Sequence, residues 1–267
     1  MQVQNPTVAA SFARNMLVGA TRTLGPARVR DLLHGAGIDG SLLRRTGARI
    51  SGEQFVRLYE AISLATNDEM LGLWSRPIRG GTLKYLGQSL LDAPSVFTAM
   101  YRFTRFWNLL LDDYHLEFGR DAGIVTLSLR PLSPDVSPVV FGHELMIKLI
   151  HGVASWLAGR DLKIAGVGFG FARPRHFSEY AELFPGPVAF KNEVTFVSFE
   201  ERDLQLRQLL QIRRHVVVDL GAERDPADRR RREHGNDDQL ERAPVEQHQR
   251  CAVAVVARRF DRGGERE

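Results

Sequence analysis

Tyr114-His115-Leu116-Glu117-Phe118-Gly119-Arg120-Asp121-Ala122-Gly123-Ile124-Val125-Thr126-Leu127-Ser128-Leu129-Arg130 carries a period of two on both sides of a glycine. Tyr114, Leu116 and Phe118 alternate with His115 and Glu117, and Val125, Leu127 and Leu129 alternate with Thr126, Ser128 and Arg130. An apolar residue at every second position puts one face of a strand on a core and the other in water, so this is an antiparallel hairpin turning at Arg120–Gly123. It sits mid-chain, and a helical period flanks it on both sides.

Before the hairpin the spacing is helical. Val29, Leu32 and Leu33 make a short apolar face that Gly35 and Gly37 end. Ser51-Gly52-Glu53-Gln54 reads as a capping box, followed by Phe55, Leu58, Tyr59 and Ile62 at helical intervals. Asn67-Asp68 ends that helix, and Met70, Leu71 and Trp74 read as a further one. Leu83, Leu86, Leu90 and Leu91 line another face, and Asp92-Ala93-Pro94-Ser95 breaks the chain. The helix from Phe97 to Leu111 is apolar on several sides, the mark of an element buried in a larger fold.

Beyond the hairpin, Pro131, Pro134 and Pro138 mark a loop, and a helix is expected from about Val139 to Leu157. Ile164 to Phe171 reads as a strand with Val167, Phe169 and Phe171 on one face and Gly166, Gly168 and Gly170 on the other. Three glycines on one face call for a neighbour at close range, either a helix or a ligand. A short helix carries Phe177, Tyr180, Leu183 and Phe184, and short strands are expected at Val188–Phe190 and Val194–Val197. The expected class is α+β: a helical N-terminal half packed with a small antiparallel sheet and helices, then a disordered charged tail.

The tail differs in kind from the body. The 267 residues carry 36 Lys+Arg against 32 Asp+Glu, a formal charge of +4, and only four of the bases are lysine. Residues 213–267 hold 13 Arg, no Lys, 12 Asp+Glu and one aromatic, Phe260, a composition that does not collapse into a core. The near balance of charge argues against nucleic acid or membrane binding by charge alone. Absence of Lys, Ile, Met, Trp and Tyr from 213 onward fits out-of-frame translation of a GC-rich gene, and a genuine solvated tail is the alternative. The expected division is a sensing and dimerisation domain over 10–210 and an Arg-rich tail over 213–267.

Enzyme chemistry finds no residue set. After His143-Glu144 a zinc-protease helix needs a second histidine at 147, where Ile147 stands, and His151 supplies no third ligand. No phosphate loop, dinucleotide fingerprint or nucleophile elbow is present. Cys251 lies alone in the tail. No eighteen-residue apolar run and no secretory signal is evident, so the expected address is the cytoplasm, with no membrane contact, no metal and no cofactor.

Several segments, in order, resemble the N-terminal sensing domain of AraC-type transcription regulators of the arabinose-binding type, over roughly 14–210. They are Asp31–Asp39; Ala48-Arg49-Ile50-Ser51 with Gln54-Phe55 and Leu58-Tyr59; Gly81–Gly87 with Leu90-Leu91 and Pro94-Ser95; Val167–Pro174; and Leu183–Phe190. The family commonly shows Phe-Gly-Cys-Pro-Val where this chain has Phe184-Pro185-Gly186-Pro187-Val188. The resemblance implies a small-molecule effector, a homodimer, and a C-terminal domain with two helix-turn-helix motifs. Residues 213–267 do not fit such a domain, so DNA is expected as a partner only if that domain is restored. A stand-alone ligand-binding or interaction protein is the alternative. For the ligand cavity the expected residues are Phe103, Trp107, Tyr114, His143, Trp156 and Phe169, on the long aromatic helix, the hairpin, the proline-flanked helix and the glycine-faced strand.

Overall fold

The computed structural model describes residues 7–205, apart from Arg175 and the side chains of Glu179 and Glu182. The expectations for 213–267 lie outside the described residues.

The chain opens with β1 (Thr7–Ala9), which pairs antiparallel with β2 (Arg49–Ser51). Between them runs α1 (Ala10–Gly35), broken at Gly25, whose φ of 80° is left-handed, immediately before Pro26. Its first half, with Phe12, Ala13, Met16 and Ala20 buried, has small residues where an apolar stripe would announce a helix, and only the second half is legible by spacing. The capping box forms: Ser51 Oγ accepts from Gln54 N at 3.1 Å, and Gln54 Oε1 accepts from Ser51 N at 2.9 Å. It starts α2 (Gly52–Thr66), which ends at Asn67 in the left-handed conformation.

No helix follows at Met70–Trp74. Two buried carboxylates take the backbone amides that a helix would use. Asp68 accepts from the amides of Met70 (2.8 Å), Gly72 (2.7 Å) and Ile78 (2.8 Å). Glu69 accepts from Gly81 and Leu83, both at 2.8 Å. Burial pushes the Glu69 carboxyl up in pKa, against these two bonds that pull it down. The resulting loop bends at Leu71 (φ 59°) and lies so close to α1 that a Cβ on Gly19 would stand 2.2 Å from the Leu71 carbonyl oxygen.

Next come α3 (Thr82–Leu90) and α4 (Val96–Trp107). Ser95 Oγ caps α4 by accepting from Thr98 N at 3.2 Å. This helix is amphipathic rather than apolar all round: Val96, Ala99, Met100, Phe103 and Trp107 are buried, while Tyr101 is half exposed. It stops at Trp107, short of Leu111. The Asn108 side chain then turns outward to pair with the Leu116 backbone, accepting from its N–H at 2.7 Å and donating to its carbonyl at 2.9 Å.

The hairpin stands where the alternation puts it, as β3 (Tyr114–Asp121) and β4 (Ile124–Pro131). Ala122 (φ 45°) and Gly123 (φ 79°) turn it in the doubly left-handed geometry that matches strand twist. Then α5 (Val140–Ala158) runs through the middle of the molecule, buried on every side except at Val140 and Trp156. It is followed by β5 (Gly166–Phe169), a one-turn α6 (Tyr180–Leu183), β6 (Val188–Phe190), β7 (Thr195–Glu200) and a final turn α7 (Glu201–Leu204). The five-stranded sheet has the order β3-β4-β7-β5-β6. All its pairs are antiparallel except β5–β6, which is parallel, so the sheet is mixed where an antiparallel one was expected. The class is α+β.

At Gly168 the close neighbour is another strand of the sheet, not a helix. Gly168 stands opposite Phe196 in the β5–β7 ladder, and a Cβ on Gly168 would lie 2.2 Å from the Phe196 ring. The aromatic ring covers the strand where glycine leaves the room.

Candidate functional site

Trp74, Tyr114 and His143 meet at the junction of the 67–81 loop, the start of the hairpin and the first turn of α5. Ring centroids are 5.3 Å apart for Trp74–Tyr114, 5.0 Å for Tyr114–His143 and 6.1 Å for Trp74–His143. Phe171 closes the group at 6.0 Å from His143. The local causes are specific. Asp113 Oδ2 accepts from Ser75 N at 2.7 Å and ties the loop to the hairpin beside Trp74 and Tyr114. Gly142, preceding His143, lets the Trp74 ring lie against α5, with a Cβ there standing 3.6 Å from the indole.

All three rings are 3–4% exposed, yet Trp74 Nε1, Tyr114 Oη and His143 Nε2 have no hydrogen-bond partner among the described residues. A buried polar atom without a partner costs about 1–3 kcal/mol, so three on touching rings are a strong departure from ordinary core. Burial alone lowers the His143 pKa to about 4, which keeps the imidazole neutral near pH 7. Burial, then the nearby Asp113 charge, pushes the Tyr114 hydroxyl up to about 12. The other ring nitrogen of His143, Nδ1, lies 2.7 Å from Thr195 Oγ1, which also accepts from Gly170 N at 3.0 Å.

A surface groove of about 260 Å³ is lined by Arg130, Pro131, Leu132, Ser133, Pro134, Glu193 and Val194, and none of the three rings is part of its lining. Pro131 is the ladder partner of Tyr114, and Val194 precedes Thr195. The Arg130 guanidinium donates to Glu117 at 2.8 Å and to Glu193, also on the groove's lining, at 3.2 Å.

On the next residue of α5, about 100° around the helix, lies a second polar group. Glu144, wholly buried, accepts through Oε1 from His176 Nε2 at 2.7 Å and from the Tyr180 hydroxyl. Its Oε2 has no partner among the described residues. Asn15 of α1 donates to His176 Nδ1 at 3.4 Å, so the network joins α1, α5 and the 176–180 segment. Burial, reinforced by the Glu144 charge, raises the Tyr180 pKa. Phe169 and Phe171, 4.9 Å apart, bridge the two groups, with Tyr180 5.2 Å from Phe169.

Of the six residues expected at a cavity, Tyr114 and His143 are brought together and Phe169 stands one ring behind them. Phe103 and Trp107 pair in the α4 core, at 6.0 Å, where Trp107 Nε1 also lacks a partner among the described residues. Trp156 lies thirteen residues along α5 from His143, about 20 Å at 1.5 Å per residue. Trp74, Thr195, Glu144 and His176 were not among the six. Spacing makes Trp74 a plain helical core residue, and no local pattern ties Thr195 to a helix 52 residues earlier. His143 and His151 have separate bonds, to Thr195 and to the Leu162 carbonyl at 2.8 Å. Among the described residues no group of three or more His, Cys, Asp or Glu is placed to hold a metal, and no helix is long and apolar enough to cross a membrane.

The profile of the arabinose-binding domain of AraC transcription regulators, the N-terminal domain, matches residues 27–208. The chain belongs to the AraC family of transcription regulators and carries this domain. The ornithine utilization regulator of Pseudomonas aeruginosa is 23% identical over 175 residues, 65% of this chain and 52% of its own length. The chain thus spans about half the length of that curated relative. The crystal structure of the transcriptional regulator CdpR from Pseudomonas aeruginosa superposes with a TM-score of 0.38 at 17% identity, covering 73% of this chain and 61% of that one.

Proposed function

We propose that this domain senses a small-molecule effector, bound at Trp74, Tyr114 and His143 and reached from the groove between Pro131–Pro134 and Val194, and that it controls transcription rather than catalysing a reaction. The observation that carries the reading is the set of three buried polar atoms on touching rings without partners among the described residues. Ordinary cores satisfy or exclude such atoms, whereas ligand sites place a few polar groups on apolar walls. Effector-dependent stabilisation tests it. A metabolite that binds only the folded chain raises its melting temperature, and the rise should vanish in Trp74→Phe and His143→Phe. Failure of every compound in a broad panel to shift the melting temperature would leave the alternative, an interaction protein without an effector.

Homodimerisation through this domain, in the cytoplasm, belongs to the same proposal, and sedimentation with and without effector tests the dimer. For 213–267 the proposal is an out-of-frame product standing where a helix-turn-helix domain belongs, supported by the lysine-free, arginine-rich composition. Translating the other two frames downstream of the Ile212 codon tests it: an open frame of about a hundred residues with helix-turn-helix spacing is expected. Its absence makes the tail genuine.

A further inference from the structure

We infer that the effector presents an uncharged hydrogen-bond acceptor, a carbonyl oxygen of the ketone, lactone or amide kind, to Trp74, Tyr114 and His143. The inference rests on the effector site proposed above and follows from what those three side chains can offer.

An indole N–H only donates. The protonation of His143 follows from Thr195. That hydroxyl is 1% exposed, and its oxygen already accepts the Gly170 N–H. Its own hydrogen has one acceptor within reach among the described residues, His143 Nδ1. Were Nδ1 to carry the ring proton, the Thr195 hydrogen would be buried without an acceptor, at a cost of about 1–3 kcal/mol. The arrangement that satisfies Thr195 leaves Nδ1 bare and puts the proton on Nε2, the atom that faces no protein partner. Tyr114 adds a hydroxyl. The site therefore offers two obligate donors and one hydroxyl, and Tyr114 is its sole acceptor.

The charges around it are spoken for. Arg130 is held by Glu117 and Glu193, Arg76 lies 3.6 Å from Asp112 at the surface, and Asp113 is bonded to Ser75. A carboxylate buried here would lack a counter-ion and would face Asp113 across Tyr114, at an unfavourable desolvation cost. An ammonium would meet donor hydrogens. A neutral carbonyl oxygen takes two donors in its plane and leaves its hydrocarbon against Trp74, Tyr114 and Phe171.

Three probes on one six-membered ring separate the classes: cyclohexanone, cyclohexanecarboxylate and cyclohexylammonium, each titrated into the full chain at millimolar concentration. Cyclohexanone should raise the melting temperature by about 4 °C when present at some tenfold its dissociation constant. The two ions should leave it unmoved, and His143→Phe should remove the cyclohexanone shift. A shift from either ion that His143→Phe abolishes overturns the carbonyl class while the site stands. No shift from any probe, or a cyclohexanone shift that survives both Trp74→Phe and His143→Phe, overturns the site and the class with it. Independently of any ligand and of whether a variant folds, the ¹⁵N shifts of His143 should report the Nε2–H tautomer. An Nδ1–H tautomer overturns the donor assignment.

Discussion

Two neighbouring parts of this domain bury polar groups in opposite ways. In the 67–81 loop, Asp68 and Glu69 are each 2% exposed and together receive five backbone amides. Where that same loop meets the hairpin and α5, Trp74, Tyr114 and His143 are as deeply buried and leave three polar atoms with no partner among the described residues. The first arrangement is what a fold needs to hold an irregular segment inside, since five amides that forgo a helix find a carboxylate oxygen and others, such as Glu69 and Leu71, find a backbone carbonyl. The second has no structural return. Trp107 Nε1 and Glu144 Oε2 are also short of a partner among the described residues, but only at Trp74, Tyr114 and His143 do three such atoms sit on adjacent rings, which is what the effector-site proposal builds on.

Removing the wired carboxylate should have the largest effect. Asp68→Ala strips the acceptor from three buried amides and is expected to cost about 4 kcal/mol by chemical denaturation. A loss under 1 kcal/mol would show that the loop does not depend on it. Gly19→Ala comes next: a Cβ 2.2 Å from the Leu71 oxygen must push the loop off α1, for about 3 kcal/mol. The corresponding change at Gly35, where a Cβ meets nothing within 4 Å, should be nearly neutral.

The unpaired cluster is probed by acid. The folded His143 pKa of about 4 lies below its ordinary 6.5, so the unfolded chain binds the proton first. The stability that His143 preserves is complete above pH 6.5, falls as pH drops through that value, and levels off below 4, a span of roughly 3 kcal/mol. Glu69, raised by burial, contributes the opposite slope from 4.5 upward, so the reading is the difference between wild type and His143→Phe, in which Glu69 cancels. Parallel pH profiles for the two proteins would remove the buried neutral imidazole. The smallest effect carries the sharpest sign. Tyr114→Phe deletes a hydroxyl that bonds to nothing in the described protein and should raise stability by about 1 kcal/mol while abolishing effector-dependent stabilisation. A clear loss of stability would mean the hydroxyl is already satisfied.

Much of this architecture could be read from spacing. The hairpin, the capping box at Ser51 and Gln54 and the extent of α5 follow from local periodicity, because each is decided by residues close in sequence. Met70, Leu71 and Trp74 mimic a helical face, and what overrides them is the pair of carboxylates just before, whose amide partners reach to Leu83. The Phe196 ring over Gly168 depends on a register across 28 residues, which no local pattern contains. The site was half legible for the same reason. Tyr114 and His143 stand out as a hairpin aromatic and a helical histidine, whereas Trp74 lies in a loop with helical spacing and Thr195 in a strand whose partner helix is distant.

The burial of α5 on all sides has a consequence for how the domain comes apart. With nearly every residue from Phe141 to Ala158 covered, no partial opening frees this helix without parting the sheet from the helical layer around it. Its amides should therefore exchange with solvent deuterium last of all, at the rate of complete unfolding, while those of the short 177–183 turns exchange through local excursions. Ligand contact at His143 would then be felt along a rod whose motion is all or nothing.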